Sequence, residues 1–252
     1  MTVTDFYDRL APFYHLIYPD WDASIHRQAA ALEGIIKARW GRNVQTVLDA
    51  ACGIGTQALG LAARGYTVTA SDLSPVEVAR AKHEAAARSL PISFSVGDMR
   101  CAYAHHQRQF DVVIACDNSV PHLLTDADLL EAFQQFYACT RPGGGCLISV
   151  RDYAAEQHAG LQVKPYGIRI EGHTRYLVFQ VWEFHGDIYD LAMYFVEDHG
   201  AAEAVTHIMR TQYYAVGSGT LISLLQQAGF QDVQRLDEPF FQPIIVGTHP
   251  QR

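Results

Sequence analysis

No run of apolar residues in the 252-residue chain approaches membrane-spanning length, so a transmembrane helix is not expected. Basic residues are few: 19 Lys and Arg stand against 27 Asp and Glu, giving a formal net charge of −8. That sign argues against nucleic acid or an anionic membrane surface as a partner. Cysteine is sparse and scattered, at positions 52, 101, 116, 139 and 146, with no Cys-x-x-Cys pair. The odd count, with two of the five on expected buried strands, predicts free thiols in a cytoplasmic protein, not a disulfide framework. The 12 histidines, apart from the neighbours His105 and His106, keep no ligand spacing with cysteines or carboxylates, so no metal centre is expected. Met1-Thr2-Val3-Thr4-Asp5 does not read as a signal peptide. Internal repeats and low-complexity tracts are missing too. What is present is ample apolar content, 49%, beside 18% charged residues, enough for a packed core in one α/β unit of this length.

The chain is organised around Val47-Leu48-Asp49-Ala50-Ala51-Cys52-Gly53-Ile54-Gly55-Thr56. Gln45 to Asp49 is a short apolar run, as a buried parallel strand requires. Cys52 to Thr56 is a tight glycine turn, and Leu59, Leu61 and Ala62 then follow a helical pattern. Strand, glycine turn and helix together make a ligand crevice at the carboxyl end of a sheet. Two cofactor classes suit such a turn. Gly53-x-Gly55-x-x-Ala58, with Asp72 further on, matches a loose dinucleotide fingerprint. Asp49 points the other way, because a carboxylate ahead of the first glycine repels a pyrophosphate and attracts a cation. S-adenosylmethionine carries a sulfonium and an α-amino group and no phosphate. The stretch resembles motif I of the class I S-adenosylmethionine-dependent methyltransferases.

That resemblance extends over residues 45–150. Tyr66 to Ser71 is β-prone and ends at Asp72, an acid placed to accept hydrogen bonds from both ribose hydroxyls, or simply to start the next helix. Ser74-Pro75-Val76-Glu77 already supplies such a start, with Glu77 in capping-box position. Ile92–Val96 is a third strand, and Gly97-Asp98-Met99 after it stands where the family sets an acid and an apolar residue by the adenine. Phe110–Cys116 is a central fourth strand, and a helix starts at Thr125 or Asp126. Arg141-Pro142-Gly143-Gly144-Gly145 reads as the turn before a fifth strand, Cys146–Val150. The resemblance implies S-adenosylmethionine as cofactor and S-adenosylhomocysteine as product. It also implies cofactor contacts from Asp49, Ala51, Gly53, Gly55, Asp72, Leu73, Asp98, Met99 and Cys116.

Residues 152–214 break the strand–helix rhythm. Tyr176–Trp182, Ile188–Val196 and His207–Tyr214 read as antiparallel strands, with a hairpin turn at His185-Gly186-Asp187. No flexible linker flanks them, so they are an insertion in one domain spanning residues 1–252. Ser218–Ala228 is a last helix, and Gln231–Leu236 and Phe241–Gly247 a final antiparallel pair. The expected fold is therefore α/β: a doubly wound, seven-stranded, mostly parallel sheet of the Rossmann-like methyltransferase type, with the β insertion after the fifth strand. Residues 1–40 are expected to be helical and either to close over the cofactor as a lid or to pack as an ordinary amphipathic arm.

Within the family, Cys116-x-Asn118-Ser119-x-x-His122-Leu123, Arg141-Pro142-Gly143-Gly144 and Arg151-x-Tyr153 are similar to the glycine/sarcosine N-methyltransferase group. The resemblance implies an acceptor site of Asn118, His122 and Arg151, with insertion tyrosines Tyr194 and Tyr214, and Tyr213 beside them. Asp117 departs from the glycine common in that group. Arg151 is expected either to read a substrate carboxylate or to pair with Asp117. The expected partner is thus a small molecule, glycine or a related amino acid, methylated on its amine. Methylation of oxygen or carbon in another metabolite, and non-catalytic cofactor binding, are the alternatives. Homo-oligomerisation is left open.

Overall fold

The computed structural model describes residues 2–251; Met1 and Arg252, the ends of the unit expected above, lie outside the described residues. Helix α1 (Val3–Leu10) opens on a capping box in which Thr2 Oγ1 accepts from the Asp5 N–H and Asp5 accepts from the Thr2 N–H. A single 3-10 turn at Tyr14–Ile17 leads to α2 (Trp21–Trp40), which starts at the Asp20 N-cap. Strands and helices then alternate: β1 (Thr46–Asp49), α3 (Thr56–Ala63), β2 (Thr67–Asp72), α4 (Pro75–Ala87), β3 (Ser93–Val96), α5 (Ala102–His106), β4 (Phe110–Ala115), α6 (Asp126–Cys139) and β5 (Thr140–Ser149). The rest is β6 (Leu161–Glu171), β7 (Thr174–His185), β8 (Ile188–Asp198), β9 (Val205–Tyr214), α7 (Ser218–Gln227), β10 (Gln231–Leu236) and β11 (Ile244–Thr248).

Seven strands form one sheet in the order β10-β11-β5-β4-β1-β2-β3. The pairs β1–β2, β2–β3, β1–β4 and β4–β5 are parallel, and β11 is antiparallel to both its neighbours. This is the doubly wound sheet with an antiparallel edge pair that the sequence predicts. Every residue of β4 is buried, as a strand covered on both faces must be. The winding direction reverses between β1 and β4, and in such folds a ligand crevice opens at that point, outside the carboxyl ends of the strands.

β6, β7, β8 and β9 form a second, antiparallel sheet. Its inner face packs on α1 through Phe6 and Leu10 against Trp182, Tyr189, Met193 and Tyr213. Helix α1 is thereby held beside the mouth of the crevice.

The structure departs from the sequence reading in two strands. β6 was not anticipated, because Pro165 and Gly167 interrupt its alternation. Both sit where the β6–β7 ladder shifts register, which is where a strand accommodates them. β5 begins at Thr140, not Cys146, so the Pro-Gly-Gly run is strand and not turn. Its glycines allow close approach. A Cβ on Gly144 would stand 2.2 Å from the Asp111 carbonyl oxygen, and one on Gly145 2.0 Å from the Trp40 ring.

A similar approach packs α2 on α3. A Cβ on Gly60 would lie 2.6 Å from the Ala29 Cβ and 2.7 Å from the Ile25 carbonyl oxygen. Helix propensity favours Ala over Gly by about 1 kcal/mol. Overpacking costs about 1–3 kcal/mol, and here the obstacle is partly backbone, which yields least. Gly60→Ala is therefore expected to lower unfolding free energy by about 1–2 kcal/mol, read by thermal or denaturant melting. A variant as stable as the parent would mean that the two helices are free to separate.

Candidate functional site

The glycine turn after β1 takes conformations suited to glycine: φ is 52° at Gly53 and 97° at Gly55, the N-cap of α3. The Gly53 N–H donates to Asp72 Oδ2 at 2.8 Å, and the Ser74 N–H donates to Asp72 Oδ1 at 2.9 Å. Asp72 thus ties the turn to the start of α4. Ser74 caps that helix, accepting from the Glu77 N–H at 3.1 Å. Glu77 closes no capping box: its carboxyl is buried and both its oxygens lack partners.

The crevice beside this turn is a cavity of about 340 Å³. Ala51, Gly53, Asp72, Leu73, Asp98, Met99 and Cys116 line it, together with Tyr7, Tyr14 and Tyr18 from the N-terminal segment. Asp49 and Gly55 stand behind this lining. Asp49 is fully buried, and only one of its oxygens has a partner, the Ala51 N–H at 3.4 Å. Burial pushes its pKa up to about 7 and also raises that of Asp72. Asp98 differs. Burial works to raise it, but the Arg100 guanidinium, 2.6 Å away, outweighs that and holds it below the usual carboxylate range.

A second, smaller chamber adjoins the cavity, lined by Tyr7, Tyr14, Asp117, Arg151, Tyr166 and Tyr213 among others. Asp117 faces both spaces and an outer groove. It accepts from Tyr18 Oη at 2.6 Å and from Gln242 Nε2 at 3.3 Å. Asp117 and Asn118 both have positive φ, 57° and 64°, which turns the chain sharply after β4. Arg151 donates to the hydroxyls of Tyr189 at 3.0 Å and Tyr166 at 3.3 Å, with its guanidinium 4.9 Å over the Trp182 ring. Among the described residues it has no carboxylate at ion-pair distance, so the Arg151–Asp117 pair is not formed. Asp152, its neighbour in sequence, pairs with Arg235 at 2.7 Å.

His122 is buried with its Nε2 2.7 Å from Tyr7 Oη and its ring centroid 4.0 Å from that of Tyr213. Its Nδ1 has no partner. Burial, then the charge of Arg151, lowers its pKa to about 3, so the imidazole is neutral.

Three residues expected at the acceptor site lie elsewhere. Asn118 is a brace: its Nδ2 donates to Tyr153 Oη at 2.9 Å, and its Oδ1 accepts from the Arg151 N–H at 3.0 Å. Tyr194 stacks on Phe179, centroids 4.7 Å apart, on the sheet face opposite Met193. Tyr214 donates to Asp126 at 2.9 Å. Side chains alternate along a strand, so choosing the neighbour of an inward residue selects the wrong face. The inward tyrosines are Tyr189 and Tyr213, and of these Tyr189 was missed, as were Tyr7, Tyr18, Tyr166 and Glu77. The buried alternation Tyr189, Leu191, Met193, Phe195 is the signal that would have found the face.

Residues 47–144 match the family described as methyltransferase domain. The chain is similar to a glycine/sarcosine N-methyltransferase of Parasynechococcus marenigrum, 29% identical over 161 residues, 64% of this chain and 53% of that protein. The chain thus spans about half the length of that curated relative. Among solved structures it is similar to DesVI of Streptomyces venezuelae, with TM-score 0.80 and 19% identity over 99% of both chains. It is also similar to CalS10 of Micromonospora echinaspora, an amino pentose methyltransferase solved with S-adenosylmethionine bound, with TM-score 0.78 and 20% identity over 90% and 92% of the two chains.

The neutral His122 makes stability depend on pH. Its folded pKa of about 3 lies below the unfolded value of ~6.5. Between these values the unfolded chain binds the extra proton, so the contribution is complete above ~6.5 and is lost as pH falls toward 3. His122→Gln should flatten the fall of unfolding free energy across that window, measured by denaturant titration at several pH values. An unaltered slope would show that the folded protein already admits a proton there.

Proposed function

We propose that this chain, which carries a methyltransferase domain on the class I S-adenosylmethionine-dependent methyltransferase fold, methylates the amine of a small zwitterionic acceptor, glycine or a related amino acid. The cavity beside the glycine turn suits the cofactor. A Cβ on Gly53 would stand 3.0 Å from the Tyr14 ring, so only glycine leaves this cradle open. The unpartnered oxygen of Asp49 and the raised pKa values of Asp49 and Asp72 call for a ligand that brings donors or positive charge. On this reading Asp72 accepts from the ribose hydroxyls and Asp98 from the adenine amino group, beyond the backbone and Arg100 donors they already hold. When bound, S-adenosylmethionine supplies a methyl carbon already activated by its sulfonium.

The protein's part is then alignment and exclusion of water. Holding two reactants in line is worth ~7–11 kcal/mol in well-oriented systems. Tyr7, Tyr14 and Tyr18 cover the crevice, and the N-terminal segment acts as its lid. Asp117, at the junction of cavity and chamber, would accept a hydrogen bond from the acceptor ammonium and take one of its protons, freeing the nitrogen lone pair that bonds the methyl carbon as the carbon–sulfur bond breaks. The neutral His122, held by Tyr7, borders the same space without adding a competing cation. Neither group needs to be a strong nucleophile.

The observation that carries the acceptor class is Arg151. It is a buried guanidinium with two tyrosine hydroxyls and an aromatic face as neighbours and no carboxylate. Such a cation attracts an anion from outside, and a substrate carboxylate fits its fork. Asp117 on the same chamber supplies the complementary charge for the amine. A second reading is favoured by size. The chamber opens into a groove of about 920 Å³ that includes Arg151, Tyr166 and Trp182, more than an amino acid fills. An amine on a larger scaffold, such as an amino sugar, suits that volume.

The test is turnover with S-adenosylmethionine across amino acids, their decarboxylated amines, amino sugars, and oxygen and carbon acceptors, following S-adenosylhomocysteine release. Arg151→Lys keeps the charge and removes the fork. For a carboxylate-bearing acceptor KM should rise ~10–100-fold, the scale of a lost charge-assisted hydrogen bond, with S-adenosylhomocysteine affinity unchanged. Equal wild-type activity on an amino acid and its decarboxylated amine would overturn the carboxylate role. Cofactor binding without turnover on any acceptor would make the protein a binder and not an enzyme.

A further inference from the structure

Glu77 enters neither the packing logic of α4 nor the site as described. Its backbone is capped by Ser74, and its side chain turns to the crevice wall. The residue is 0% exposed, and neither carboxyl oxygen has a hydrogen-bond partner. A Cβ on Gly53 would lie 3.1 Å from Glu77 Oε2 and 3.0 Å from the Tyr14 ring, so the carboxyl sits directly behind the glycine turn.

The charged and titratable groups around it come from every packed element: Asp72 at the end of β2, Asp8 on α1, Tyr7 and Tyr14 of the N-terminal segment, Cys52 of the turn, and Arg80 on its own helix. Arg80, the one cation among them, is engaged by the Ala11 carbonyl and by Glu84 at 3.7 Å. Asp8 is held by Ser74 Oγ at 2.5 Å. Arg80 offsets the charge of Glu77 only in part: burial, then Asp72, outweighs it and pushes the carboxyl's pKa well up. An apolar side chain of equal length would fill the place without that cost. An acid retained there is explained by a cation that arrives with the ligand.

We propose that Glu77 is a cofactor-recognition residue that selects for positive charge, favouring the sulfonium-bearing S-adenosylmethionine over its uncharged-sulfur product. This rests on the cofactor reading above. In the free protein burial favours the protonated carboxyl. A cation in the crevice favours the ionised form, and the proton leaves to solvent. Methyl transfer removes the sulfonium charge, so the attraction weakens when the product must depart.

Calorimetric binding of three probes to the whole chain tests this: S-adenosylmethionine with two cationic centres, S-adenosylhomocysteine with one, and 5′-methylthioadenosine with none. Glu77→Gln should weaken S-adenosylmethionine roughly tenfold, S-adenosylhomocysteine less, and 5′-methylthioadenosine not at all, as a charge interaction over a few ångströms requires. The rise of S-adenosylmethionine affinity with pH should also be shallower in Glu77→Gln. Equal weakening of all three probes would show a hydrogen bond to the nucleoside and overturn the proposal, as would no weakening. Glu77→Met fills the same space and should melt at or above the wild-type temperature while losing the same cation preference. A melting temperature well below wild type would overturn the proposal by making Glu77 a stabilising residue. Wild type that binds none of the three probes would overturn the cofactor reading with it, whereas wild type that binds all three alike overturns the charge selection alone.

Discussion

The structure depends on a separation of unanswered charge. Asp49, Asp72 and Glu77 crowd the cavity behind the glycine turn, all buried; Asp72 is held by two backbone N–H groups, and Arg80, near Glu77, is engaged by the Ala11 carbonyl and Glu84. Arg151 sits in the next chamber, buried and, among the described residues, with no carboxylate at ion-pair distance. A protein folding for stability alone would pair these groups or replace them with apolar ones. Here the covalent path and the strand order keep them apart, the acids at the ends of β1 and β2 and on α4, the arginine just past β5. The order β5-β4-β1-β2 sets β4 and its loop between the two sets. Asp117 and Asn118 on that loop are the divide. Asn118 faces inward as the brace, and Asp117 faces both spaces.

The N-terminal segment converts this arrangement into an enclosed site. Its contacts reach both sides of the divide. Tyr18 bonds Asp117, Tyr7 bonds His122, and Asp8 bonds Ser74 at the cap of α4. The insertion sheet holds the segment from outside: Arg169 donates to the carbonyls of Ile17 and Tyr18, and His15 meets Glu171 at 2.5 Å. Apolar contacts reinforce these ties: Phe13 stacks on Phe195, and Leu16 is buried in the same cluster as Phe6 and Leu10 of α1. Helix α1 and the turn after it are therefore anchored to the insertion sheet together.

The cofactor half was legible in the sequence because it is local. Glycine turn, strand-ending acids and helix caps fall within short stretches whose chemistry is written side by side: Asp49 with Gly53 and Gly55, Asp72 with Ser74. The chamber beyond it was not, because it is gathered from α1, the β4 loop, the end of β5 and all four strands of the insertion. Arg151 follows the fifth strand in the sequence and lines the chamber in the structure. Tyr194 and Tyr214 do not line it, since a strand's inward face follows from register, which only the folded ladder fixes. Glu77 was misread for a different reason. Ser-x-x-Glu satisfies the capping-box pattern, yet the Ser74 N–H already donates to Asp72, so the carboxyl was released to turn inward. The pattern that does form a box is Thr2 with Asp5, at the start of α1.

The division also bears on how the two halves vary. Arg151 is oriented by Tyr166 on β6 and Tyr189 on β8, and Tyr189 in turn bonds Tyr153, which bonds Asn118. One chain of hydrogen bonds thus links the insertion sheet to the loop after β4. None of its members belongs to the glycine turn or to the strands that carry Asp49 and Asp72. A change in the insertion that moves Tyr166 or Tyr189 redirects the guanidinium and leaves the acids untouched. The register shift at Pro165 and Gly167 lies beside Tyr166. Up to it Gln162, Lys164 and Tyr166 face inward by alternation, and past it Gly167 and Arg169 take that face, which brings Arg169 to the carbonyls of Ile17 and Tyr18. The feature that hid β6 in the sequence therefore lets one strand present both a tyrosine to Arg151 and an arginine to the N-terminal segment.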